Sequence, residues 1–275
     1  MVEAPLLEPG HLYGHMHEKQ SPRADLSTFD ACKTIRQGLD IAVKNDDDLR
    51  MRYPGGKGKT YQHLINLMPP HEVYIESHLG GGAVIRHKKP ARRSIGIDID
   101  PRPLQAWKPV PGLAIELVNG AAEDYLASFP FSGNELLYCD PPYFPSTRLR
   151  EKVYGFDYTA ADHEKLLCLL VGLPCNVLLS GYANPLYDST LSAWNKATFA
   201  AKTHTGVRQE CVWFNFAPPT SLHDSRFLGV NARARQSTKR RLQRLQSKFE
   251  SMDAIERAAF RQWLNDQYQS PTNPR

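Results

Sequence analysis

From Met51 onward the chain alternates short, continuous apolar runs with stretches that repeat at helical spacing. The segment YQHLINLM reads as a helix ended by Pro69-Pro70, and VYIES (73–77) as a short buried strand. A glycine run, Gly80-Gly81-Gly82, then leads into AVIRHK, a helix start. A second strand, SIGIDID, ends on acids; LAIELVNG gives a third, AAEDYLASF a short helix, and NELLYCDPPY a fourth strand. The stretch TAADHEKLLCLLVGL is a helix capped by Thr159, because its leucines recur at helical spacing. NVLLSGY is a fifth strand, and KATFAAKTH with QECVWFNF forms a closing pair around a Thr205-Gly206 turn. Strands that alternate with helices predict an α/β fold with a doubly wound, mostly parallel sheet.

The two ends differ from this middle. Residues 1–50 are weakly patterned, with one short helix expected from Ser27 or Thr28 to Ile41 or Ala42 before the acid run Asp46-Asp47-Asp48. They read as an N-terminal extension. Residues 220–275 read as a basic helical extension, with helices over about 231–249 and 252–268. Leu242, Leu245, Phe249 and Met252 share one face, which offers a route to a homodimer. Residues 51–219 are left as the central domain.

Composition narrows the class. The chain has 275 residues and 23% charged residues, and lacks an apolar run of the roughly 20 residues that span a bilayer. No signal-peptide pattern opens it, so a soluble, intracellular (cytoplasmic) protein is expected, with no membrane partner. The five cysteines are scattered without a CxxC pair. Buried free thiols are expected, and neither disulfides nor a metal site. The histidines point to no metal either: His78 is expected to pack or lie at the surface, and His163 to be exposed.

The net charge is +5, but eight basic residues fall between Ser225 and Phe249 with no acid among them. The rest of the chain therefore carries 5 − 8 = −3. One local positive block suits a polyanion, although a solvated helix face would look the same.

The chemistry gathers at predicted strand ends. LLYCDPPYFP runs an apolar strand into Asp140-Pro141-Pro142-Tyr143. Proline has no N–H to extend a ladder, so the strand must stop there, with a carboxylate at its carboxyl tip. Open α/β sheets bind ligands at that end. ESHLGGGAV places glycines between a strand and a helix, with Glu76 at the strand end. Asp98 ends the second strand, where an acid commonly accepts ribose hydroxyls. Together these imply a nucleoside-containing cofactor, while the spacing does not match the dinucleotide GxGxxG pattern. RYPGGKGK (52–59) is either a tight turn with solvated lysines or a loop that covers a ligand with Tyr53 and Lys57. A carboxylate beside a proline carbonyl can accept both hydrogens of an exocyclic amine and localise its lone pair. An adjacent aromatic ring can stack on the base, which must first be flipped out of a duplex.

The order RYPGGK, ESHLGGGAV, DID, DPPY resembles the Dam-like family of DNA adenine-specific amino-methyltransferases, across about residues 51–217. The resemblance implies a Rossmann-like S-adenosylmethionine-dependent methyltransferase fold and methylation of the 6-amino group of adenine in DNA. RNA adenine, the cytosine amine, or a catalytically silent nucleic-acid-binding protein are the alternatives. It also implies S-adenosylmethionine as cofactor, contacted by Tyr53, Lys57, Glu76, Gly80, Gly82, Asp98 and Asp140. The catalytic group would be Asp140, Pro141, Pro142 and Tyr143, with Tyr143 stacked on the base. The family's Pro-Phe pair after the motif acid is Ser77-His78 here, and Ala121 stands where an acid is often found. Only 57 residues separate Gly82 from Asp140, too few for an inserted recognition domain. Target reading is therefore assigned to the loop with Arg148, Arg150 and Lys152, and to Arg233, Arg235, Lys239, Arg240, Arg241 and Arg244 of the basic helix.

Overall fold

A computed structural model describes residue 58 and residues 60–147, 155–203 and 206–268, all within a compact unit running from Met51 to Arg275. Tyr53, Lys57, Arg148, Arg150, Lys152, Cys32 and the helix expected near residues 27–42 lie outside the described residues.

The chain forms α1 (Tyr61–Ile65), β1 (Val73–Glu76), α2 (Ala83–His87), β2 (Arg93–Asp98), α3 (Pro101–Gln105), β3 (Glu116–Asn119), α4 (Ala122–Ser128) and β4 (Glu135–Cys139). It continues through α5 (Ala160–Gly172), β5 (Asn176–Gly181), α6 (Pro185–Thr190), β6 (Asn195–Thr203) and β7 (Gly206–Phe214) to α7 (Ala232–Glu250) and α8 (Ala254–Tyr268). The seven strands form one sheet in the order β3-β2-β1-β4-β5-β7-β6. The first five are mutually parallel, and β7 runs antiparallel to both β5 and β6. This is the Rossmann-like α/β architecture expected. Strand order reverses between β1 and β4, so the crevice for a ligand opens at their carboxyl ends.

The inner parallel strands β1, β2, β4 and β5 read as apolar runs because both faces are covered. Within β4, Leu137 and Cys139 face one layer with Leu166, Leu167 and Leu170 of α5. Leu136 and Tyr138 face the other, with Leu64 and Ile65 of α1 and Val84 and Ile85 of α2. Each such fully buried aliphatic side chain contributes about 1.5–3 kcal/mol. α5 starts on a capping box: Asp162 N–H donates to the Thr159 hydroxyl, and the Asp162 carboxylate accepts from Thr159 N–H.

Several expectations are corrected. His163 is fully buried, not exposed, and its Nδ1 lies 2.9 Å from the Tyr187 hydroxyl on α6. Cys139, Cys175 and Cys211 are buried free thiols, but Cys168 is exposed on α5. The closing hairpin pairs Thr203 with Gly206, so Gly206 belongs to β7 rather than to the turn. Two short helices, α3 and α6, arise where no helix is predicted.

The chain after β7 first straps back onto the sheet unit. Asp224 accepts from Lys89 N–H at 2.8 Å, and Asn66 donates to the Phe227 carbonyl. Only then does α7 begin, capped by Asn231, whose side chain accepts from Ala234 N–H. Neither α7 nor α8 has a buried residue. Among the described residues no helix is long and apolar enough to cross a membrane.

Candidate active site

Asp140 follows the last residue of β4 directly. Its Oδ1 accepts from Ser180 Oγ at 2.7 Å, and Ser180 is fully buried on the neighbouring strand β5. The Tyr138 hydroxyl lies 3.0 Å from the same Ser180 oxygen. Serine has one proton and gives it to the carboxylate, so Tyr138 is the donor to Ser180. The relay Tyr138–Ser180–Asp140 fixes the rotation of the acid. Pro141 is buried, while Pro142 and Tyr143 are half-buried.

The glycine loop is fastened to the tips of β1 and β2. Leu79 N–H donates to the Ile97 carbonyl at 2.8 Å, and Gly80 N–H to Asp98 Oδ2 at 2.7 Å. The other Asp98 oxygen accepts Asp100 N–H at 2.9 Å. Gly82 has φ +64°, and a Cβ there would stand 2.5 Å from Trp107 Cζ3. Only glycine meets both constraints. Ile99, beside Asp98, is 43% exposed. The Asn119 side chain bonds the carbonyls of both Asp98 and Ile99.

Glu76 is buried at the end of β1. Its Oε2 accepts from the Tyr74 hydroxyl and from Ile85 N–H, each at 3.0 Å. Burial, reinforced by the charge on Asp140, pushes its carboxyl up to about 8 against the pull of those two donors. Burial also raises Asp98 above the usual carboxylate range, opposed by the amides of Gly80 and Asp100. The crevice thus gathers carboxylates whose anionic forms burial disfavours, and at Glu76 the charge of Lys88 offsets this only in part. That donor set fits a ligand with ammonium and sulfonium groups, ribose hydroxyls for Asp98, and an aromatic face for Ile99.

The predicted residues Glu76, Gly80, Gly82, Asp98, Asp140, Pro141, Pro142 and Tyr143 all stand at the carboxyl ends of the adjacent strands β2, β1 and β4. The basic residues Arg233, Arg235, Lys239, Arg240, Arg241 and Arg244 are on α7 instead. Arg233, Gln236, Ser237, Arg240 and Arg244 share one face and line a groove of about 420 Å³. Arg235 is half-buried and donates to the Gly229 carbonyl at 3.3 Å. A larger groove, about 550 Å³, lies between the C-terminal end of α2 and the strap and contains none of the predicted site residues.

No protein-family model and no curated protein sequence matches the chain. Solved structures do resemble it. One is an rRNA methylase from Streptococcus thermophilus, at 9% identity over 58% of this chain and 96% of that one, with a TM-score of 0.40. Another is TrmK of M. capricolum in complex with S-adenosyl-homocysteine, at 8% identity over 75% and 94%, TM-score 0.40. A third is the magnesium protoporphyrin IX methyltransferase of Synechocystis with bound S-adenosylmethionine, at 12% identity over 72% and 87%, TM-score 0.36. At such values the likeness concerns the outline of the fold, and the functional reading rests on the crevice itself.

Sequence reasoning missed four participants. Ser180 and Tyr182 follow one another closely at the end of β5, where SGY reads only as a strand terminus. Arg208 lies on β7, with its guanidinium 3.9 Å from the Tyr182 ring centroid. Tyr158 ends the segment after DPPY, with its hydroxyl donating to Glu123 at 2.6 Å and lying 3.0 Å from His78 Nε2. Burial drives His78 down to about 3, so it is a neutral packing residue that ties this segment to the glycine loop. Residues far apart in sequence create all these contacts, and no local pattern announces them.

Proposed function

We propose that the protein transfers a methyl group from S-adenosylmethionine to the 6-amino group of adenine in DNA. One observation carries this reading: the Asp140-Pro141-Pro142-Tyr143 turn sits on the central strand, its acid oriented by a buried serine, beside a glycine loop bonded to Asp98. Glu76 and the loop would hold the methionine end of the cofactor, Asp98 its ribose, and Ile99 its base. Bound there, S-adenosylmethionine supplies an activated methyl group. The chain's own residues would do the rest. Asp140 and the Pro141 carbonyl each accept one hydrogen of the target amine, which draws the nitrogen toward tetrahedral geometry. Its lone pair then points along a single direction. After transfer one amine proton must leave, and the Asp140 carboxylate is the acceptor in contact with it. Tyr143 stacks on the extruded base.

The α7 arginines support a nucleic-acid partner. Arg233, Arg240 and Arg244 recur along one face, at about 10 Å and 6 Å along the axis, a row of cations that suits a phosphate backbone. The test is expression in a host free of adenine methylation, followed by modified-base detection across its genomic DNA. Methyladenine in a fixed sequence context is expected with the wild-type protein and none with Asp140→Ala. Transfer in vitro to RNA alone, with none to single- or double-stranded DNA, would refute the choice of DNA.

A further inference from the structure

Three groups stack beside the catalytic turn. The Tyr143 ring lies 4.3 Å from that of Tyr182, at an interplanar angle of 32°. The Arg208 guanidinium stands 3.9 Å from the same Tyr182 ring. A ring face accommodates one neighbour at such a distance, so Tyr143 and Arg208 occupy opposite faces of Tyr182. Arg208 Nη2 also donates to the Thr147 carbonyl at 2.9 Å. Thr147 in turn donates from its N–H and its hydroxyl to the Phe144 carbonyl, at 2.9 and 2.8 Å. The network closes on itself. The turn that carries Tyr143 is tethered to the arginine that backs Tyr143's own stacking partner. Tyr182 is only 9% exposed, so this brace is a packed part of the crevice wall.

We propose that Tyr182 and Arg208 are positioning residues that hold the Tyr143 ring in the plane needed to receive the extruded base. The inference rests on the methyl-transfer reading above. A tyrosine on a turn that is held at only one edge would turn about its side-chain bonds, and each turn would cost stacking. Tyr182 removes that freedom from one side, and Arg208 stiffens Tyr182 through a cation–π contact and a tether. Neither residue reaches the amine; they act through Tyr143 alone.

The proposal separates turnover from binding. The substrate is duplex DNA from a host lacking adenine methylation, with radiolabelled S-adenosylmethionine as donor. Tyr182→Ala should lower kcat about 10- to 100-fold, the worth of one lost base stack. KM for DNA and the calorimetric Kd for S-adenosylmethionine should stay within about threefold of wild type. Tyr182→Phe should restore most of the lost rate, since the ring rather than the hydroxyl makes the brace. Arg208→Lys should fall between wild type and Arg208→Ala, as it keeps the charge but loses the planar fork. DNA carrying mispaired adenines flips at lower cost, so the Tyr182→Ala deficit should shrink on it. Unaltered kcat in Tyr182→Ala, or cofactor Kd rising in step with the lost rate, would overturn the proposal. A deficit of equal size on paired and mispaired DNA would do the same. Failure of the wild-type protein to methylate any DNA is a separate outcome, which removes the underlying reaction.

Discussion

Replacing Glu76 by glutamine isolates the electrostatics of the cofactor end of the crevice. A glutamine carbonyl can accept the same two hydrogen bonds, from the Tyr74 hydroxyl and Ile85 N–H, that the carboxylate accepts now. It removes only the titratable proton. In the fold Glu76 keeps that proton up to about pH 8, against an ordinary value of 4.5, with burial as the main cause. Between these pH values the folded protein holds one proton more than the unfolded chain. The Glu76 contribution to stability therefore falls as pH rises, by about 1.4 kcal/mol per pH unit. Over the whole interval, from 4.5 to about 8, the loss is at most about 5 kcal/mol. Urea unfolding followed by circular dichroism, at pH 5 through 9 without cofactor, reads it as the difference between wild type and Glu76→Gln, since the shifted His71, His78 and Lys88 are common to both. Glu76→Gln should match the wild type near pH 5 and exceed it by several kcal/mol at pH 8–9. S-adenosylmethionine brings positive charge to the same place, so binding at pH 7 should release a proton in the wild type and none in the variant. Calorimetry in two buffers of different ionisation enthalpy detects that release. Wild-type and variant stabilities that run parallel across the pH range would refute the account.

Two further perturbations follow from the geometry. Gly82→Ala places a Cβ 2.5 Å from Trp107 at a φ of +64°, so it should cost about 1–3 kcal/mol in urea unfolding and weaken cofactor binding measured by calorimetry. Replacing Arg233, Arg240 and Arg244 together by alanine should leave cofactor binding intact and flatten the dependence of log K on log salt for a random-sequence duplex by about 3; an unchanged slope would dismiss α7 as a phosphate rail. Truncation is a poorer test, because removing everything from residue 220 also strips Asp224, Arg226 and Phe227 from the core, whereas a cut after Asn231 spares them.

Much of the fold was legible because the inner parallel strands β1, β2, β4 and β5 are covered on both sides, so their sequences are apolar runs punctuated by proline, glycine or acid. The Asp140–Tyr143 turn was equally legible: Pro141 and Pro142 dictate where β4 stops. The short helices were not. α3 and α6 span five and six residues, too few for a repeating apolar pattern. Yet each starts with a capping side chain followed by proline, Asp100-Pro101 and Asn184-Pro185, and that pairing was the available signal. Missing α6 also misplaced His163, since Tyr187 on α6 gives the buried imidazole its partner. The Tyr143–Tyr182–Arg208 stack was beyond reach for a different reason. It joins three strand ends that only the sheet order brings side by side.

The strap that precedes α7 has a consequence for footprint. It roots one end of a 19-residue helix on the core, and that helix runs about 28 Å. A duplex lying along its arginine face, which runs about 16 Å from Arg233 to Arg244, would be gripped over roughly five base pairs. On the proposed function, that grip would lie outside the crevice that takes the single reacting nucleotide. Purchase on the polymer and choice of the reacting base would thereby be divided between separate parts of the chain, so a change in one would leave the other as it was.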